Sequence, residues 1–366
     1  NTATPPPGKK TKMARVKVEG DGADAPTSAT EARIRTALIT GFHRAQQSTS
    51  SHASQRKVIF ALLDEHRNTT LQLLCALCVK TLSMQQSTDV SRRHAVFLAD
   101  VCKTLLTERK DDTVAASILE AVLPYHGARD KTVRFAVVCL MEPLLRTLRA
   151  DNADDERQAL YDSIVEAMKL RIFDTFYAVR ERAVAALAIF QEGKRDCDVT
   201  QHILAASAED TNPGVRRQCA NVAIPKEVYF MALSRLACDV VPTVRKAAWD
   251  AIGKFRYVHF VAFCQLYKQS FVDVVDTGLN DACVPVRLAT TRTIGKWLSD
   301  REIDDDPVTF LSKIALPPTE SPAVTLLART VFEAAARRRS REQGPLLMPL
   351  VTSGLTPANA VMWRVC

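Results

Sequence analysis

The chain has 366 residues, of which 47% are hydrophobic and 25% charged, so it can bury a large core, in one globule or spread along several units. Only 12 glycines and 6% aromatic residues count against sheet-rich folds, which need turn glycines and strand aromatics. No apolar run approaches the ~20 residues of a membrane span, and no signal-peptide pattern opens the chain. The net charge of +8 and a pI near 9.0 are compatible with a nucleic-acid partner without establishing one.

Taken in order, residues 1–30 are rich in Pro, Thr, Ala and Gly and read as a disordered basic tail. Lys9, Lys10, Lys12, Arg15 and Lys17 lie there with no acid before Glu19. Apolar positions at helical spacing then predict helices over 31–47, 55–66, 68–83, 90–108, 113–124 and 131–149, with Pro143 kinking the last or starting a new one. After the acidic loop Asn152–Glu156, helices are expected in pairs: 156–172 with 178–191, 198–208 with 213–223, 225–237 with 242–256, and 260–279 with 283–299. A second acidic loop, 300–307, precedes helices at 307–315 and 321–340, and 356–366 starts another. The chain begins without Met and stops at Cys366 inside a helical pattern, so it reads as the amino-terminal piece of a longer array.

The pairs share a register. An Asp stands six residues before an Arg that follows Val: Asp174 and Arg180, Asp210 and Arg216, Asp239 and Arg245, Asp281 and Arg287. Val133-Arg134 repeats the dipeptide, with Asp130 nearby but out of register. The Arg positions step by 46, 36, 29 and 42 residues, irregular periods typical of stacked helix pairs. Each Val is the first inward-facing residue of a second helix, and Asn212-Pro213 sets an N-cap ahead of a proline at the first helical position. The expected fold is all-α, a HEAT-type solenoid over 31–366. The Asp and Arg of each turn are expected to pair as a structural ladder, because a half-buried guanidinium wants a bidentate carboxylate.

No catalytic or cofactor signature is present: there is no P-loop, dinucleotide-binding glycine turn, HExxH or GxSxG. The seven histidines (43, 52, 66, 94, 126, 202 and 259) show no i, i+4 pairing that would hold a metal. Cys75 and Cys78 form a lone CxxC on an apolar helix face, read as core, and the scattered thiols suit a reduced intracellular protein. Asp304, Asp305 and Asp306 read as a solvated charge run. A chain without catalytic groups works through surfaces, and a solenoid offers the long face of its second helices. Arg182, Arg217 and Lys246 lie in the first turns of those helices with no partner evident from spacing; Lys57, Lys80, Arg92 and Arg93 add charge earlier. These seven are the candidates for phosphate contacts that position a DNA duplex without reading its bases.

The ordered set Asp210-Thr-Asn-Pro-Gly-Val-Arg-Arg, Ala223-Ile-Pro, Arg235-Leu-Ala-Cys-Asp and Val244-Arg-Lys-Ala-Ala-Trp resembles the G-type HEAT subunit of condensin (CAP-G). Gly278-Leu-Asn-Asp, Val286-Arg and Trp297-Leu extend the likeness, as do Asp130-Lys-Thr-Val-Arg-Phe upstream and Leu355-Thr-Pro with Trp363 downstream. The resemblance covers 31–366. It implies a non-enzymatic nuclear, chromosome-bound subunit that takes no cofactor and is found in the cytoplasm when off chromosomes. Its implied partners are a kleisin segment in the groove and double-stranded DNA, with the SMC ATPase pair and a second HEAT subunit reached through the complex, and no membrane. The family's amino-terminal DNA contacts would fall near Lys80 and Arg92-Arg93. Two stretches depart from the family: Met84–Val90 lacks lysines that relatives can carry, and Leu316-Pro317-Pro318 interrupts an acidic-polar loop. The alternative reading is a HEAT scaffold that binds proteins only.

Overall fold

A computed structural model describes residues 28–82, 88–147, 155–317, 321–338 and 356–365. The tail up to residue 27, most of the Met84–Val90 stretch and most of the Asn152–Glu156 loop lie outside these residues, as do Pro318 and Leu355 and the side chain of Trp363. The described residues form helices and connecting turns, with no strand among them.

The helices are α1 (Ser28–Gln47), α2 (His52–Leu82), α3 (Thr88–Arg109), α4 (Thr113–Val122), α5 (Lys131–Leu145) and α6 (Asp155–Arg171). There follow α7 (Tyr177–Leu187), α8 (Asp198–Glu209), α9 (Pro213–Val222), α10 (Phe230–Leu236), α11 (Pro242–Ile252) and α12 (Tyr257–Leu266). The last are α13 (Phe271–Leu279), α14 (Val284–Leu298), α15 (Pro307–Ser312), α16 (Pro322–Arg338) and α17 (Pro357–Val365). Helix α1 starts earlier than the sequence reading placed it. The expected break between 66 and 68 is present as a kink in α2, where His66 leaves helical geometry.

Two expectations are corrected. Pro143 neither kinks off a new helix nor ends α5, because it falls in the last turn before Leu145. The single helix expected over 260–279 is two, α12 and α13. Lys268 takes a left-handed φ of 53°, and the Ser270 hydroxyl accepts the Asp273 N–H as a fresh cap.

The second helices stack in an unbroken row, α3 on α5, then α7, α9, α11, α14, α16 and α17. Val179, Val215, Val244 and Val286, the residues before the register arginines, are fully buried. Each stabilises the stack by about 1.5–3 kcal/mol on apolar transfer. Between 230 and 310 the first helices add an aromatic core. Phe230, Phe260, Tyr257, Trp297 and Phe310 are buried there, with the Tyr257 ring stacked 4.2 Å from Phe310. The Tyr257 hydroxyl donates to the Phe310 carbonyl at 2.7 Å, and Trp297 Nε1 donates to the Phe255 carbonyl at 3.0 Å. Cys78 is core as expected, and Cys75 lies half-buried beside it with its thiol pushed up to about 11 by burial and by Glu120.

Candidate binding face of the second helices

The register arginines and aspartates do form a ladder, but across repeats. Arg180 holds Asp210 of the next turn through Nε and Nη2 at 2.7 and 2.8 Å, not Asp174 of its own turn. Arg216 holds Asp239 at 2.7 and 3.0 Å, and Arg245 holds Asp281 at 2.5 and 2.8 Å. Arg134, which spacing set aside, is the first rung: it grips Asp174 at 2.7 and 2.8 Å.

What the six-residue spacing specifies is a carbonyl contact. Nη1 of Arg180, Arg216, Arg245 and Arg287 donates to the main-chain oxygen of Asp174, Asp210, Asp239 and Asp281 at 2.6–2.9 Å. Arg134 does the same to Ala128. The carboxylate points the other way, toward the preceding repeat, while its Oδ1 accepts the N–H two residues on: Phe176, Asn212, Val241 and Cys283. Each Asp therefore caps its own turn and ties two repeats. Asp130, out of register, caps Thr132 instead.

Charge follows this geometry. Burial alone would raise Asp174 and Asp239, but hydrogen bonds from the arginine ahead and from the capped N–H hold both below the usual carboxylate range. Asp281 is held low chiefly by its bond from Arg245.

Arg182 on α7 and Arg217 on α9 are half-buried in the second-helix row. Burial raises the Cys139 thiol on α5 to about 11. The expectation that the second-helix cations lack partners is wrong. Arg182 reaches Glu142 on the helix before it at 3.0 Å, Arg217 reaches Glu181 at 3.3 Å, and Lys246 pairs with Asp250 at 2.6 Å. Asp250 is also approached by Arg292 at 3.4 Å. The face is thus a belt of alternating charge running along α5, α7, α9, α11 and α14. At 30–61% side-chain exposure for the cations, such pairs contribute at most about 1 kcal/mol each. Their carboxylates were missed by the sequence reading. The signal was available, since Glu142 to Arg182, Glu181 to Arg217 and Asp250 to Arg292 span 40, 36 and 42 residues, the repeat period itself.

Arg93 has a structural job. Its Nη1 donates to the Gln46 and Gln47 carbonyls at 2.5 and 3.4 Å, closing the carboxy-terminal end of α1. Arg92 is exposed, with Asp89 at 3.8 Å. Lys57 is exposed on α2. Lys80 lines a shallow apolar groove between α1 and the second half of α2, with Arg35, Leu38, Ile39, Leu73 and Leu77. The Asp304–Asp306 run is not merely solvated: Asp306 caps α15 through the Val308 and Thr309 N–H groups, and Asp305 meets Arg338 at 3.3 Å. Among the described residues no group of three or more His, Cys, Asp or Glu is placed to hold a metal, and no described helix is long and apolar enough to cross a membrane.

Stacked helix pairs with a continuous second-helix row, tied turn to turn by an Arg–Asp ladder, define an α-solenoid of the HEAT/armadillo class. Within that class the chain is similar to condensin complex subunit 3. It is 30% identical to the Xenopus laevis protein over 254 residues, which covers 66% of this chain and 23% of that protein. It is 27% identical to the Homo sapiens protein over 264 residues, 70% of this chain and 25% of the relative. The chain therefore spans about a quarter of the length of these relatives. The solved structure of the S. pombe condensin Cnd3–Cnd2 subcomplex superposes with a TM-score of 0.71, covering 90% of this chain and 41% of that one at 20% identity, a likeness of fold. No family model matches the chain.

Proposed function

We propose that this chain is part of a condensin subunit 3 of the G type, a non-catalytic HEAT subunit that holds a kleisin segment along its second-helix face. The similarity to condensin complex subunit 3 along two thirds of the chain carries the reading. On it, the chain acts on chromosomes in the nucleus, with the SMC ATPase pair and a second HEAT subunit as further members of the complex.

Duplex DNA is the second proposed partner, contacted through phosphates by Lys57, Lys80, Arg92, Arg182, Arg217 and Lys246. Arg93 leaves this set because its guanidinium closes α1. The pairing of Arg182, Arg217 and Lys246 with carboxylates sets the mechanism. A phosphate must displace Glu142, Glu181 or Asp250, so the isolated face binds DNA weakly, and a bound kleisin segment that engages those carboxylates frees the cations. The same pairing is what favours the alternative of a protein-only scaffold.

Fluorescence anisotropy with a short duplex of arbitrary sequence, with and without a kleisin fragment across a salt series, separates the two. Binding that tightens with kleisin and falls with a log–log salt slope of about −3.5 to −5.5, as for about four to six phosphates, is expected. Charge reversal at Lys80 and Arg92 should weaken it while the helical circular-dichroism signal persists. Kleisin binding with no DNA affinity at low salt would leave the scaffold.

A further inference from the structure

Among the described residues the Arg–Asp ladder stops at α14. Arg287 is set as its siblings are, with Nη1 donating to the Asp281 and Ala282 carbonyls at 2.6 and 3.1 Å, which fixes the plane of the guanidinium. In Arg134, Arg180, Arg216 and Arg245 the remaining Nε and Nη2 edge closes on a carboxylate at 2.5–3.0 Å. In Arg287 that edge meets no carboxylate among the described residues. Of the acids that follow α14, Asp300 and Glu302 pair with Arg256, Asp305 pairs with Arg338 and Asp306 caps α15.

The second charged pattern breaks at the same turn. The residue after each register arginine is Glu181, Arg217 and Lys246 in the three preceding repeats, each a member of the alternating belt. After Arg287 it is Leu288, 57% exposed, and one turn back on the same side stands Val284, 51% exposed. A positioned guanidinium fork flanked by two exposed aliphatic side chains thus replaces an ion-paired surface. Isolated exposed leucines are ordinary, but here two flank a fork whose four copies are each filled.

We propose that Val284, Arg287 and Leu288 form a docking site for a segment of another protein that presents an aspartate next to an aliphatic residue. The four filled rungs show the ligand chemistry: a planar carboxylate taken edge-on by Nε and Nη2, the bidentate geometry in which Arg is strongest. The aliphatic flanks favour a carboxylate embedded in apolar sequence over a strongly hydrated phosphate. The site stands whether or not the condensin reading does.

The test probes the full 366-residue chain on an array of twelve-residue peptides. The central residue is Asp, Asn, Lys or phosphoserine, and the flanks are aliphatic or Gly/Ser. Binding to Asp with aliphatic flanks is expected, reduced at least tenfold by Arg287→Ala, reduced severalfold by Leu288→Ser, and unaffected by Lys296→Ala on the same helix. A parallel melting curve should show Arg287→Ala lowering Tm much less than Arg245→Ala, whose partner Asp281 is buried. Preference for phosphoserine, or no Asp preference, overturns the proposal. A melting loss equal to that of Arg245→Ala also overturns it, because the fork would then be filled from within the chain.

Discussion

Replacing Asp210 with alanine removes both charge-assisted hydrogen bonds from Arg180 and the acceptor for the Asn212 N–H. The pair is well shielded, with side-chain exposures of 6% for Asp210 and 16% for Arg180, so the stranded guanidinium is only partly rehydrated. Breaking a buried pair costs about 3–5 kcal/mol, and the residual exposure argues for the lower end, near 3 kcal/mol. Asp210→Asn keeps an oxygen for the Asn212 N–H and should lose about 1 kcal/mol less.

The decisive measurement is a pair of double-mutant cycles by urea denaturation, supported by hydrogen exchange, because a solenoid can open locally. A coupling of about 2 kcal/mol is expected between Arg180 and Asp210, and less than about 0.5 kcal/mol between Asp210 and Arg216, which uses only the main-chain oxygen of Asp210. Stronger coupling of Asp210 to Arg216 than to Arg180, or an unchanged Asp210→Ala, would refute a ladder that runs between repeats.

Three further outcomes follow from other parts of the fold. Arg93→Ala should speed hydrogen exchange in the last turn of α1 and destabilise that end by about 1–2 kcal/mol, while exchange in α9 and α11 stays unchanged. Gly278→Ala should destabilise by about 1–3 kcal/mol or more and alter tryptophan fluorescence, since an added Cβ would stand 2.3 Å from Thr290 Oγ1 and 2.5 Å from the Trp249 ring. Burial holds His94 below its ordinary value, with a smaller push from His52 and an opposing pull from the Phe42 backbone. The unfolded chain therefore takes up the proton first, so this stabilisation is full above about pH 6.5 and is lost as pH falls from there toward the lower folded value. His94→Leu should flatten the drop in Tm between pH 7.5 and 5.5 relative to the parent chain.

The sequence by itself determined most of the helices and their class. The valines that face inward, the Asn212-Pro213 boundary and the scarcity of glycine and aromatics are local facts, and α-helical hydrogen bonds are local as well. It also named most of the ladder's residues, because Asp and Arg recur wherever two turns stack, though it set aside Arg134, which is a rung, and included Arg287, which holds no carboxylate among the described residues. It did not determine who holds whom. A six-residue interval is satisfied equally by a carboxylate or by a main-chain oxygen, and only the stacking of one turn on the next shows that Arg180 takes the oxygen of Asp174 and the carboxylate of Asp210. The split of α12 from α13 turned on a left-handed Lys268, which no apolar period encodes. The belt pairs Glu142–Arg182 and Glu181–Arg217 went unread because their partners lie one repeat away, whereas Lys246–Asp250 is an i, i+4 pair on a single helix. In a solenoid each interface is made between neighbours, so spacing within a turn names the residues, and the superposition of turns assigns their partners.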